Sequence, residues 1–277
     1  SGSCQECEGR DRRGYDLPCQ QDALRAGRLE GKPNTVLMLH GGTSFSMPWR
    51  DKAKSIVYAM YGGSENGSVL SDVLFGEINP SGRLPFTMAE YLDDYPSHAL
   101  GIYDPDNKED VVYEEGLYIG YRWMNEKDIK PMYPFGFGLT YTGFEWGEPS
   151  ISSNRLKSVQ EVVLPDSDSE AKARDSKKIK IRIPVTNIGE MRGAEVVQLY
   201  VRDVEAYLPR PEKELKRFCK LWLEPGETGI AEFELQEDDL RFFDPQKHAW
   251  VSEKGEFEIM LGSSSEDIRE TLKLILV

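Results

Sequence analysis

A chain of 277 residues is long enough for one large or two ordinary domains with at least one buried core. Its 39% hydrophobic and 10% aromatic content is globular rather than disordered. The balance of 34 Lys and Arg against 48 Asp and Glu, net −14, argues against nucleic acid or an anionic membrane as a partner, because phosphate binding needs surplus cations. No apolar run approaches the length of a membrane-spanning helix, and no signal peptide is visible. The start at Ser1 rather than Met is what a processed or cut chain would show.

The chain opens on a knot of charge, "CQECEGRDRRGYDLPCQ" (4–20), in which Glu6 and Glu8 are followed at once by Arg10, Asp11, Arg12 and Arg13. On base rate such a run is a solvated face whose carboxylates pair with the arginines. Next, "DLPCQQDALRAGRL" predicts a helix with Pro18 in its first turn. "TVLMLHGG" (35–42) is a continuous apolar run ending in glycines, which predicts a strand buried on both faces with a working loop at its carboxyl end. "SIVYAMYGG" (55–63) repeats that design. "SENGSVLSDVLFG" (64–76) then predicts a helix with Ser64 as N-cap and Gly76 as its stop. Asn66 starts an Asn-Gly-Ser glycosylation sequon, but its place within that helix argues against use. Two strand–glycine–helix units imply an α/β fold with a mostly parallel sheet. "NPSGRLPFT" (79–87) reads as a turn with a structural Arg83.

From about residue 150 the texture changes to a polar, charge-dense stretch that reads as a linker or long loop. Beyond it come period-two runs: "KIKIRIPVTN", "AEVVQLYVRD", "CKLWLEPGET", "AEFEL", "GEFEIMLG" and "TLKLILV". Short alternating strands at regular spacing predict an antiparallel sandwich of about seven strands. The expected division is therefore 1–149, an α/β domain; 150–175, a linker; and 176–277, an all-β domain. Cys4 and Cys7 form a C-x-x-C, but no second pair follows at zinc spacing and the three histidines are scattered, so no metal is expected.

Several stretches together resemble one family. "EGRDRRGYDLPCQQDAL", "YGGSENGSVLSDVLFGEINPSGRLPFTM", "YEEGLYIGYRW" and "YPFGFGLTYTGFEW" are similar, in family order, to segments of glycoside hydrolase family 3, the β-glucosidases and β-xylosidases. "GAEVVQLYVRD" and "RPEKELKRFCKLWLEPGET" are similar to the fibronectin-III-like, immunoglobulin-like sandwich at the end of many members. The resemblance implies part of an α/β sandwich domain, lacking its opening strand, followed by that all-β sandwich. It also implies a preceding (β/α)₈ barrel carrying the aspartate nucleophile, for which this chain has no room and which the same or a separate chain would supply.

The resemblance turns the charged knot into an active-site loop. Retaining glycoside hydrolysis uses two carboxyl groups about 5–5.5 Å apart, one as nucleophile and one as acid and then base. In the family the acid/base is a glutamate on this loop. Counting back from the motif arginine, Arg12, gives Glu8, with Glu6 as the alternative. Asp11 and Arg12 are expected to fix the loop by an ion pair, since a guanidinium fork holds a turn well. Trp49, Tyr121, Trp123 and Phe135 are candidates for lining a sugar cleft, with core packing the competing role for most of them; Trp49 is the one expected at the substrate or the loop. The implied activity is that of a retaining exo-β-glucosidase acting on a β-linked oligosaccharide or glycoside without a cofactor. β-Xylosidase is the alternative within the class, and a non-catalytic carbohydrate-binding or interaction module the alternative outside it. A secreted or periplasmic place is favoured over the cytoplasm, and a homo-oligomer is left open.

Overall fold

The computed structural model describes residues 14–18, 20–32, 34–103, 112–158 and 178–277. Glu6, Glu8, Asp11 and Arg12, with Cys4, Cys7 and Cys19, lie outside the described residues. The chain forms two compact units, one up to Ile78 together with Pro85–Phe135, the other Asn79–Leu84 together with Gly136–Val277.

In the first unit, helix α1 (Gln21–Gly31) precedes strand β1 (Val36–Leu39), and β2 (Ser55–Tyr58) precedes helix α2 (Asn66–Phe75). β1 and β2 pair in parallel, from Val36 opposite Ser55 to Leu39 opposite Tyr58, as expected of two successive strand–loop units. Four details differ from the sequence reading. Pro18 is not in the first turn of α1: its carbonyl accepts from Gln21 N–H at 3.3 Å, and Gln20 enters the helix in the left-handed region, φ 58°. β1 is not buried on both faces: Leu37 and Leu39 are buried while Val36 is 43% exposed, so the apolar run serves an alternating strand. The 55–63 run leaves the strand after Tyr58, and Met60 turns it with φ 49°. Ser64 lies within a 3₁₀ turn, Gly63–Glu65, and does not cap α2; Gly76 does end it, with φ 80°. Helices α3 (Pro96–Ala99) and α4 (Tyr121–Glu126) complete this unit, with Ala89, Trp123 and Met124 at the centre of a small core.

The second unit is the sandwich. The alternation in "KIKIRIPVTN" becomes β6 (Ile179–Asn187), whose Ile179, Ile181, Ile183 and Val185 are all fully buried. Burying each such side chain favours folding by about 1.5–3 kcal/mol. β9 (Thr228–Leu235) runs antiparallel along one edge of β6. Two short strands, β3 (Phe144–Trp146) and β4 (Ser150–Ile151), lie end to end along the other. The facing sheet has the order β5-β13-β12-β7-β8, formed by β5 (Arg155–Leu156), β13 (Ile268–Leu276), β12 (Gly255–Gly262), β7 (Gly193–Asp203) and β8 (Glu214–Leu223). Val197, Leu199, Phe257, Ile259, Leu261, Leu274 and Leu276 meet the β6 isoleucines and Phe233 in one core. β10 (Phe242–Asp244) and β11 (Ala249–Val251) make a separate hairpin.

β7 is buried on both faces from Gly193 to Val201, including its polar residues. Gln198 donates to Gly136 O at 3.2 Å and Ser263 O at 2.6 Å, and accepts from Tyr200 OH at 2.6 Å. Gly136 has φ 82°, and a Cβ there would stand 2.2 Å from Gln198 Oε1, so both conformation and space require glycine. Arg83 Nη2 meets Glu195 Oε1 at 2.8 Å with both side chains nearly buried. Asn79 donates to Arg192 O at 3.0 Å and accepts from Thr140 Oγ1 and Tyr141 N. The "NPSGR" turn thus ties residues 79–84 to the sandwich.

Candidate functional site

The described residues begin inside the charged stretch, and they are tied down at three consecutive positions, Tyr15, Asp16 and Leu17. Tyr15 OH donates to Ala89 O at 2.7 Å, and its ring meets Tyr95 edge-on at 5.9 Å. Tyr15 O accepts from Ser46 N at 2.9 Å, and Ser46 Oγ donates to Asp16 Oδ1 at 2.7 Å. Leu17 N donates to Asp22 Oδ2 at 3.2 Å, while Trp49 Nε1 donates to Asp22 Oδ1 at 2.6 Å. Backbone and side-chain bonds at consecutive residues hold the exit of the loop far more firmly than one bond could, because their ordering cost is shared.

The loop after β1 supplies Ser46 to these contacts and Trp49 behind Asp22. It leaves the carboxyl end of a parallel strand, where α/β sheets place their working residues. Phe45, Met47 and Trp49 alternate inward and are buried, while Ser46 bonds the anchored segment at Tyr15 and Asp16. Ser44 Oγ and Ala89 N both meet Tyr95 OH, which donates to Thr87 O at 3.2 Å. A Cβ on Gly42 would stand 2.8 Å from the ring of Tyr61, so the glycine after the strand admits that ring. Tyr58 OH lies 2.7 Å from Gly41 O and 2.9 Å from Thr43 O.

Charge is also fixed here. Arg50 Nη1 meets Glu90 Oε2 at 2.7 Å and Arg50 Nε meets Asp51 Oδ1 at 3.2 Å. Burial works against the guanidinium charge, but the hydrogen bonds to Asp51 and Glu90 outweigh it and hold its pKa above the ordinary value. Burial pushes the nearby Tyr133 phenol up as well.

Among the sequence-derived residues, Trp49 is 1% exposed, with Arg25 5.7 Å from its ring centre and Asp22 on its indole nitrogen. Its ring has no free face for a sugar. Trp123 is likewise buried and donates to Asp94 O at 3.0 Å. Tyr121 and Phe135 stack on each other at 5.2 Å beside a cavity. Tyr15, Asp22, Ser46 and Tyr95 were not singled out from sequence; the Phe45-x-Met47-x-Trp49 alternation was the available signal that the loop is packed down. Among the described residues no cluster of His, Cys, Asp and Glu could hold a metal ion.

Residues 1–121 match the glycosyl hydrolase family 3 C-terminal domain and residues 195–265 the fibronectin type III-like domain. The chain thus carries a glycoside hydrolase family 3 C-terminal domain followed by a fibronectin type III-like domain. It is 38% identical over 269 residues to a β-glucosidase of Bacteroides ovatus, covering 97% of this chain and 34% of that protein. It is 40% identical over 263 residues to the thermostable β-glucosidase B of Acetivibrio thermocellus, covering 95% of this chain and 32% of that protein. The crystal structure of the family 3 β-glucosidase of Bifidobacterium adolescentis superposes with a TM-score of 0.84 at 31% identity, over 98% of this chain and 37% of that one. The chain therefore spans about a third of the length of the family 3 relatives it matches. The two domain matches fall on the α/β unit and the sandwich, the architecture expected from strand–glycine–helix units followed by period-two runs.

Proposed function

We propose that this chain is the C-terminal part of a retaining β-glucosidase and that Glu8 is its acid/base. The observation that carries the reading is the likeness, along 97% of the chain, to a β-glucosidase. The anchoring of residues 14–18 supports it, because an acid/base must be held within hydrogen-bond reach of the glycosidic oxygen. In the proposed reaction a barrel carboxylate attacks the anomeric carbon while the Glu8 carboxyl gives its proton to the leaving oxygen. The Glu8 carboxylate then takes a proton from the water that releases glucose, restoring both groups. Asp11 and Arg12 steady the loop, and Trp49 acts at second hand, by holding Asp22 against Leu17 N–H.

In the complete enzyme, Glu8→Ala should depress turnover of substrates with poor leaving groups by about 10²–10⁴-fold and spare activated aryl glucosides, whose leaving groups depart unprotonated. Azide should partly restore the slow second step as a β-glucosyl azide. If Glu6→Ala gives this pattern and Glu8→Ala does not, the assignment moves to Glu6. If neither does, the acid/base is not on this loop.

A further inference from the structure

Tyr95 is held on both sides of its backbone. Its N–H donates to Leu92 O at 3.1 Å, closing a single 3₁₀ turn, and its carbonyl accepts from Ala99 N–H at 2.8 Å, opening α3. Pro96, the next residue, keeps Tyr95 extended, with φ −83° and ψ 142°. Trp123 Nε1 donates to the neighbouring carbonyl, Asp94 O, at 3.0 Å. The hydroxyl at the tip of this fixed residue joins separate stretches of the unit. Ala89 N–H donates to it at 3.0 Å, it donates to Thr87 O at 3.2 Å, and Ser44 Oγ meets it from the loop after β1. The stretch from Thr87 to Ala89 is itself clamped, since Met88 exchanges both backbone hydrogen bonds with Tyr133, at 2.8 and 3.1 Å.

Tyr15 completes the arrangement. Its hydroxyl donates to Ala89 O and stands 3.3 Å from Tyr95 OH, with the two rings edge-on. Ala89 therefore bonds one phenol through its carbonyl and the other through its N–H. Because Ala89 is fully buried, its N–H gains no water in exchange if the Tyr95 hydroxyl is removed. Tyr15 follows Glu8 by seven positions, so whatever fixes its ring fixes one end of the charged loop. We propose that Tyr95 is a positioning residue for glucoside cleavage, its hydroxyl setting where the loop delivers the acid to the leaving oxygen. The inference rests on the reading of Glu8 as acid/base; Tyr95 acts through the loop and not on the substrate. A displacement of about 1 Å at a reacting group can cost about 10²-fold in rate.

The test is kcat/KM of the complete enzyme on dinitrophenyl and phenyl β-D-glucosides, because this quantity reports the step that expels the leaving group. Tyr95→Phe keeps the ring and removes the hydroxyl. It should lower phenyl glucoside cleavage about tenfold and dinitrophenyl glucoside cleavage less than about twofold, since only the poor leaving group needs its proton. Tyr15→Phe, which loses the bond to Ala89 O, should show the same split at about threefold, and it keeps the test open if Tyr95→Phe fails to fold. Added to Glu8→Ala, Tyr95→Phe should cost phenyl glucoside cleavage nothing further, there being no acid left to place. Equal losses on both substrates would leave Tyr95 a purely structural residue and overturn the proposal. Unchanged rates in both single variants would overturn it too, as would a further loss of about tenfold in the double variant. A leaving-group split in Tyr95→Phe with none in Glu8→Ala would keep the role of Tyr95 and remove Glu8 from that of the acid.

Discussion

Asp244 shows how much one buried carboxylate can gather. Its Oδ2 accepts from Tyr207 OH at 2.5 Å and meets Lys247 Nζ at 3.1 Å, and its Oδ1 accepts from the backbone N–H of Gln246 at 2.9 Å. The Tyr207 hydrogen bond does most to lower its pKa; burial opposes this, and the Gln246 and Lys247 contacts add to the lowering, from 3.8 to about 2. Because the folded pKa lies below the unfolded one, the contribution is full above about pH 4 and drains away as pH falls through about 2. Melting temperature should therefore fall over this window more steeply in the native protein than in Tyr207→Phe. Parallel curves would mean the phenol does not set the carboxyl's acidity. Nothing in the sequence pattern announced this pair, since 37 residues separate its members.

At the scale of elements, the strands that were legible are those long enough to show their period. β6 declares itself through four inward apolar residues in one run. The two-residue strands β4 and β5 show no period at all, and the stretch from residue 150 read as linker. Yet Leu156 is fully buried in the sandwich core, and β5 pairs in parallel with the last strand at Ile275 and Leu276. A fragment spanning 176–277 would lose Leu156 and the β3, β4 and β5 pairings. It should be less stable than 136–277 by at least about 3 kcal/mol, from one buried leucine and several ladder hydrogen bonds. Denaturant midpoints compared at equal m-values decide the point; coincident curves would show that these strands only decorate the sheet. β1 failed the other way: its continuous apolar run promised two covered faces, but Val36 is open among the described residues.

For the whole molecule, the α/β unit carries more apolar surface than its own core uses. On α2 only Val73 is buried, while Val69 and Leu74 are exposed and Phe75 is 83% exposed. The 277-residue chain alone should bind a hydrophobic dye and hydrolyse no aryl β-glucoside, since the proposed nucleophile belongs to a barrel. Joining it to a family 3 barrel should suppress dye binding and yield turnover. Turnover by the chain alone that Glu8→Gln abolishes would refute the shared-site reading. The architecture was readable from sequence because two different periodicities follow each other along the chain. The loop anchors were not, because Tyr15, Ser46 and Tyr95 act through contacts between distant residues, such as the 74 positions from Tyr15 to Ala89.

The course of the chain through residues 79–84 has a consequence for how such a protein can change. Residues 79–84 belong to the sandwich unit, the chain then returns to the α/β unit for 85–135, and it re-enters the sandwich at Gly136. Leu84 N donates to Phe137 O at 2.9 Å and Gly136 N donates to Leu84 O at 2.8 Å, so the two ends of the 85–135 excursion are zipped together. A segment whose ends already touch can grow, shrink or be exchanged without pulling the sandwich apart. Between splice points held by Arg83, Glu195 and Asn79, residues 85–135 can therefore change in length and surface as long as Ala89, Glu90 and Tyr95 keep their hold on Tyr15, Ser44 and Arg50.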